Sequence, residues 1–220
     1  SMKGKKVTIS GSGNVAQYAT EKCIDMGAKV LTLYDSSGFI YDKDGIDSEK
    51  LKYIMELKNE KRVRISEYIK KYSKAEFYSK KSPWNIKCDI AIPCATQNEL
   101  GKEDAISLIK NGCSAIGEGA NMPCTPNAVE QFIKNKLLYA PGKASNAGGV
   151  AVSGLEMAQN SLRYTWTRDV VDGKLKEIMS DIHASCVKYG STKDQINYLK
   201  GANIAGFVKV ADAMLAQGVV

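Results

Sequence analysis

The residues best placed to do chemistry lie close to the start of the chain. Gly11-Ser12-Gly13-Asn14-Val15-Ala16 follows the spacing G-x-G-x-x-G/A. A first glycine suits a tight turn. A second, lacking Cβ, lets backbone amides approach a diphosphate, and a small third residue lets a helix sit close to a strand. Asp35 stands 22 residues after Gly13, the spacing of a carboxylate that takes ribose hydroxyls. The pattern predicts a dinucleotide turn built from Gly11, Ser12, Gly13, Asn14 and Val15, with Asp35 at the ribose. A turn whose glycines serve packing alone is the competing reading.

Cations near that carboxylate bear on which dinucleotide is taken. Ser36 and Ser37 add hydroxyls, and Lys58, Lys61 and Arg64 recur every three residues beyond the second strand. Side chains at i and i+3 share a helix face, so two or three of these cations would converge on one phosphate. That favours NADP(H) over NAD, against the alternative of a solvated lysine-rich face. The same stretch explains the overall charge. Residues 50–81 hold 11 basic residues against four Glu, which equals the whole net charge of +7. Nucleic-acid binders spread their charge over a face or a tail, so no nucleic-acid partner is expected.

Three more turns follow strand-like runs, where ligands of open α/β sheets bind. They are Pro93-Cys94-Ala95-Thr96-Gln97-Asn98-Glu99-Leu100, Gly117-Glu118-Gly119-Ala120-Asn121-Met122-Pro123 and Pro141-Gly142-Lys143-Ala144-Ser145-Asn146-Ala147-Gly148-Gly149-Val150. The amide of Asn121 matches the carboxamide of a nicotinamide. The third turn offers a substrate or nicotinamide lip, with Ser153 one helical turn further on. Hydride transfer at an amine or alcohol needs a tuned acid or base, and no Asp/Lys/His constellation of that kind is present. Lys143 reads as structural or as lying at a substrate's edge. The six Cys form no Cys-x-x-Cys and the single His183 has no ligand-spaced neighbour, so no metal is expected. His183 reads as structural, and the cysteines as reduced thiols of a cytoplasmic protein.

The elements that position these turns follow from periodicity. Residues 5–10 are β-prone, Val15 to Met26 recur at helical spacing ahead of Gly27, and a second apolar run ends at Asp35. This is a βαβ unit. Residues 36–47 read as a loop or small hairpin, and the basic stretch as two helices, one with Leu51, Ile54 and Met55 inward and one with Ile65, Tyr68, Ile69 and Tyr72. Strands at 88–92, 115–117 and 137–140 alternate with helices at 102–110, 126–135 and 150–164, and further helices lie at 168–189 and 203–217. The expected fold is α/β, a Rossmann-like doubly wound, mostly parallel sheet with an all-α C-terminal tail. Residues 1–2 read as an expression scar, 3–165 as the dinucleotide-binding domain and 166–220 as C-terminal helices. No run approaches a membrane span and the N-terminus has no signal-peptide core.

Six strings carry a family resemblance: Gly11-Ser12-Gly13-Asn14-Val15-Ala16-Gln17-Tyr18; Asp35-Ser36-Ser37-Gly38; Cys94-Ala95-Thr96-Gln97-Asn98-Glu99-Leu100; Glu118-Gly119-Ala120-Asn121-Met122-Pro123; Asn146-Ala147-Gly148-Gly149-Val150-Ala151-Val152-Ser153-Gly154-Leu155-Glu156-Met157; and Gly201-Ala202-Asn203-Ile204-Ala205-Gly206-Phe207. In this order they resemble the cofactor-binding half of the hexameric, NADP-dependent glutamate dehydrogenases, over essentially all of residues 3–220. The resemblance implies hydride transfer between L-glutamate and NADP(H), giving 2-oxoglutarate and ammonium, or the reverse. It implies that Ala95, Thr96 and Gln97 approach the ribose and nicotinamide, that Asn121 meets the nicotinamide, and that Asn146, Val150 and Ser153 border glutamate. It further implies an absent substrate domain that carries the catalytic lysine and aspartate and most of the hexamer contacts. The last helices would pack toward that domain. A chain of this extent is expected to bind cofactor without turning over glutamate, and to be monomeric or weakly associated, where the whole enzyme is a homohexamer. A leucine- or phenylalanine-type dehydrogenase and a non-catalytic nucleotide-binding module are the alternatives.

Overall fold

The computed structural model describes residues 1–218. The chain falls into two compact units, one ending at Tyr139 and the other beginning at Ala140. In the first, β1 (Lys6–Ile9) runs through the glycine turn into α1 (Asn14–Asp25) and on to β2 (Lys29–Asp35). β3 (Gly38–Ile46) follows, then α2 (Ser48–Met55), whose end widens into a π-helical turn over Glu56–Glu60. A short 3-10 turn at Ile65–Glu67 leads to α3 (Tyr68–Lys71) and β4 (Glu76–Ser79). Next come β5 (Ile90–Ile92), α4 (Lys102–Lys110), β6 (Ala115–Gly117), α5 (Pro126–Lys134) and β7 (Leu138–Ala140).

The seven strands lie in the order β4-β3-β2-β1-β5-β6-β7. β1 pairs in parallel with β2 and with β5, and β5 in parallel with β6. Val7, Thr8 and Ile9 are all fully buried, as expected of a central strand covered on both faces. The buried Thr32 hydroxyl accepts from the Ile9 N–H at 3.1 Å and donates to the Ile9 carbonyl at 3.0 Å, tying β1 to β2 beside a register shift. The chain winds from β1 to β2 on one side and to β5 on the other. The crevice beyond the C-terminal ends of these strands is therefore the topological switch point where such sheets bind ligands.

The doubly wound α/β architecture is as the sequence predicts, with two differences of detail. The hairpin expected within residues 36–47 is built on β2 instead: Ser36 and Ser37 make its turn, β3 runs antiparallel to β2 as far as Ile46, and β4 adds a second antiparallel strand. β4 escapes a periodicity search because it is four residues long, at the sheet edge, and followed by Lys80 and Lys81. Stacking of Tyr78 on Phe39, with ring centroids 4.8 Å apart, holds it in place. The second helix expected in the basic stretch shrinks to the 3-10 turn and α3.

A buried carboxylate organises this antiparallel corner. Asp42 accepts from Lys50 Nζ and from Tyr68 Oη, each at 2.8 Å on Oδ2, and from the Asp44 N–H at 3.0 Å on Oδ1. Lys50 also donates to the Gly45 carbonyl at 2.8 Å.

The second unit is all helical: α6 (Gly142–Ser145), α7 (Ala147–Leu162), α8 (Arg168–Gly190) and α9 (Tyr198–Gln217). Thr167 caps α8 by accepting from the Val170 N–H, and Asn197 caps α9 by accepting from the Lys200 N–H. α8 and α9 cross with Gly201 against the backbone of Cys186, too close for any Cβ. His183 lies 3.3 Å from Tyr198 Oη across the same pair. The sequence reading draws its boundary at 165, after α7, whereas α6 and α7 share the second unit with α8 and α9. Among the described residues no helix is long and apolar enough to cross a membrane.

Tyr68→Phe removes a donor from a carboxylate that is only 2% exposed. It should lower stability by about 1–3 kcal/mol in urea denaturation; a loss within ~0.5 kcal/mol would show that Lys50 and the Asp44 amide satisfy Asp42 alone.

Candidate functional site

At the end of β1 the chain turns through Gly11, whose φ of +81° suits glycine and where a Cβ would stand 2.8 Å from the Cys94 carbonyl oxygen. A Cβ at Gly13 would meet nothing within 4 Å and would project into the cleft. The N-terminus of α1 has no side-chain cap, so its first amide N–H groups face the cleft unclaimed by the protein's side chains. The cleft measures about 510 Å³ and is lined by residues 11–15, 34–36 and 94–96. Bare backbone amides, a missing Cβ and a helix N-terminus make a cradle for a diphosphate.

Behind the turn, Gln17 is fully buried on α1. Its Nε2 donates to the Ser12 carbonyl at 2.8 Å and to Asn59 Oδ1 at 3.0 Å, and Asn59 Nδ2 returns a bond to Gln17 Oε1 at 3.0 Å. This amide pair fastens the glycine turn to the π-helical turn that carries Lys58. Neither residue is an expected site residue, because nothing in the sequence pairs two amides 42 positions apart.

Asp35 is heavily engaged. Oδ2 accepts from Lys58 Nζ at 2.9 Å and from the Ile65 N–H at 2.8 Å, and Oδ1 accepts from the Ser37 N–H at 2.9 Å and Ser37 Oγ at 2.5 Å. Partial burial alone would raise its pKa. The bonds from Ser37, Ile65 and Lys58 outweigh burial and hold the carboxyl below its ordinary value. Arg64 Nη1 donates to Ser36 Oγ at 2.6 Å. Lys61 turns away, paired with Glu56 at 2.7 Å and largely exposed. The three cations do not share a helix face: the π turn ends at Glu60, Arg62 has a φ of +53° and Arg64 is extended. Lys58 and Arg64 nevertheless arrive beside Asp35 and Ser36, and Lys61 does not.

On the other side of the glycine turn, loops 93–100 and 118–124 are zipped together. The Gly119 and Ala120 amides both donate to the Pro93 carbonyl at 3.0 Å, the Asn98 amide to the Met122 carbonyl at 3.0 Å, and the Leu100 amide to the Pro123 carbonyl at 3.0 Å. Ala95 and Thr96 line the cleft, and Gln97 and Asn121 are exposed on the zipped loops. Two carboxylates inside these loops are not among the expected site residues. Glu118, 4% exposed, accepts from the Cys124 amide at 3.3 Å. Glu99 Oε1 accepts from Ser10 Oγ at 2.8 Å and the Ala95 N–H at 2.9 Å, and Ser10 Oγ accepts from the Cys94 N–H at 2.9 Å. The available clue is an acidic residue in a loop with no basic neighbour.

In the second unit, Asn146, Val150 and Ser153 follow one face of the first turns of α7 at spacings of four and three. Lys143 Nζ donates to Asn203 Oδ1 at 2.7 Å, joining α6 to α9. All six cysteines are free thiols and buried. Among the described residues no group of three or more His, Cys, Asp or Glu could hold a metal ion.

Residues 1–218 match the family model described as Glutamate/Leucine/Phenylalanine/Valine dehydrogenase. The NAD(P)-specific glutamate dehydrogenase of Xylanibacter ruminicola is 60% identical over 220 residues, covering all of this chain and 49% of its own. The NADP-specific enzyme of Haemophilus influenzae is 56% identical, with the same coverage of both; relatives at 53 and 50% are named NAD-specific. Plasmodium falciparum glutamate dehydrogenase 2 superposes with a TM-score of 0.95 at 50% identity, over 99% of this chain and 48% of that one. The chain thus spans about half the length of the curated relatives it matches.

A carboxyl with a depressed folded pKa adds stability that is complete above its unfolded pKa and lost as pH falls through the folded one. The chain should therefore lose stability on acidification below about pH 4, and Asp35→Asn should flatten that acid limb. Parallel limbs for the two proteins in denaturation from about pH 5 to about pH 2 would contradict the role given to Asp35.

Proposed function

The chain belongs to the glutamate/leucine/phenylalanine/valine dehydrogenase family, and on that footing we propose that it is the NADP(H)-binding portion of a glutamate dehydrogenase. The whole enzyme would interconvert L-glutamate with 2-oxoglutarate and ammonium, as a cytoplasmic homohexamer. The six free thiols support a reducing compartment.

The observation that carries the cofactor assignment is the engagement of Asp35. A carboxylate that reads an NAD ribose needs a free acceptor position for the 2′-hydroxyl, and has about four such positions in all. Here both oxygens already accept bonds from Lys58, Ile65 and Ser37. Lys58 and Arg64 stand beside it as donors for a 2′-phosphate, and among the described residues Arg64 makes no ion pair. The mixture of NADP-, NAD(P)- and NAD-specific names among the relatives makes NAD the second reading.

Within this proposal the amides of residues 11–15 hold the diphosphate. Lys58, Arg64 and Ser36 take the 2′-phosphate, and Lys61, turned to Glu56, adds only long-range field. Ala95, Thr96, Gln97 and Asn121 orient the nicotinamide half. Asn146, Val150 and Ser153 border the glutamate. Bound NADP(H) supplies the hydride acceptor or donor. The chain's own part is binding, orientation and exclusion of water, since its described residues offer no acid or base in a dedicated constellation.

Calorimetry on the chain should show NADPH binding more tightly than NADH. Lys58→Ala should weaken NADPH by about tenfold or more, in keeping with the loss of a charge-assisted phosphate contact, while sparing NADH. Equal affinities for both cofactors would reject the NADP assignment. Glutamate turnover by this chain alone at enzymatic rates would reject the division of labour.

A further inference from the structure

The turn at 94–96 lines the cleft without belonging to a helix or strand. Its shape must come from bonds made behind it. The Cys94 amide donates to Ser10 Oγ, and the Ser10 hydroxyl and Ala95 amide both donate to Glu99 Oε1. Ser10 is the last residue before the glycine turn. One carboxylate oxygen thus links the residue after β1 to the turn after β5, beside the backbone bond from the Ser10 amide to the Ile92 carbonyl at 3.3 Å. Charged acceptors make hydrogen bonds about twice as strong as neutral ones. Burial pushes the Glu99 carboxyl above its ordinary pKa despite these bonds, so the site keeps this carboxylate at an electrostatic cost.

We propose that Glu99 is a positioning residue: with Ser10 it holds the 94–96 turn in the conformation that receives the nicotinamide half of the dinucleotide, and it has no part in binding the adenosine half. The inference rests on the NADP(H) reading above. Its test uses the separation of the two halves. The adenosine side, at Asp35, Lys58 and Arg64, lies at the end of β2, and Glu99 acts at the end of β5, on the far side of β1.

The measurement is affinity of the chain for NADPH and for 2′,5′-ADP, which carries only the adenosine half. Glu99→Ala should weaken NADPH about tenfold and leave 2′,5′-ADP unchanged. Glu99→Gln, which keeps an acceptor oxygen, should recover most of the loss. Hydrogen exchange gives a readout free of ligand: the Cys94 and Ala95 amides should lose protection in Glu99→Ala while the amides along β1 keep theirs. An equal loss for both ligands would mean general damage and overturn the proposal, as would unchanged NADPH affinity or unchanged protection at Ala95. If Glu99→Ala fails to fold, Ser10→Ala carries the same comparison and is expected to weaken NADPH selectively; a loss shared with 2′,5′-ADP would again refute it. Wild-type chain that binds 2′,5′-ADP but gains nothing from the nicotinamide half would overturn this proposal and leave the cofactor reading standing. Wild-type chain that binds neither would remove the cofactor reading itself.

Discussion

The backbone after β1 comes so close to the backbone after β5 that no Cβ fits at Gly11. This contact sets the floor of the cleft, and the surrounding interactions are arranged about it. The Gly11 carbonyl accepts from the Tyr34 amide at 2.9 Å, which ties the turn to the end of β2. Ser10 and Glu99 tie it to the end of β5. Gln17 and Asn59 tie the back of the turn to the segment that carries Lys58. A turn with little side-chain bulk of its own is fixed by polar contacts on three sides, and its amides remain for an anion.

The same frame explains where charge goes. A net +7 confined to residues 50–81 suggests at first an electrostatic surface. The structure uses these cations separately. Lys50 neutralises buried Asp42, Lys58 neutralises Asp35, Lys61 and Lys70 pair with Glu56 and Glu67, and Lys71 lies over the Tyr53 and Tyr72 rings. The last three are exposed contacts of small individual worth. The pairs at Asp42 and Asp35 are shielded from water and shape the structure around them.

Much of this was legible in the sequence, and the exceptions share a cause. The glycine turn, Asp35 and helices α4 and α5 announce themselves through local spacing, which is where sequence patterns are informative. Helical counting fails between Lys58 and Arg64, because one turn widens and the next residues leave the helix altogether. β4 is too short for a pattern. Gln17 with Asn59, and Glu99 with Ser10, act across 42 and 89 positions of chain, and no local rule reaches that far. The motif strings contained Glu99 and Gln17, but their roles come from tertiary contacts.

The π turn at Glu56–Glu60 carries one more consequence. The Lys61 amide bonds the Glu56 carbonyl, five residues back, at 3.0 Å. Such a turn holds one residue more than an α-helical turn, and each residue of a helix rotates the next side chain by about 100°. The aim of Lys58 is therefore set by length as well as by residue type. Loss of a single residue here would restore a regular helix and swing the ammonium group away from Asp35 with every amino acid otherwise intact. The placement of this ammonium group is open to change by insertion and deletion, a route that residue-by-residue comparison of lysines and aspartates would not register.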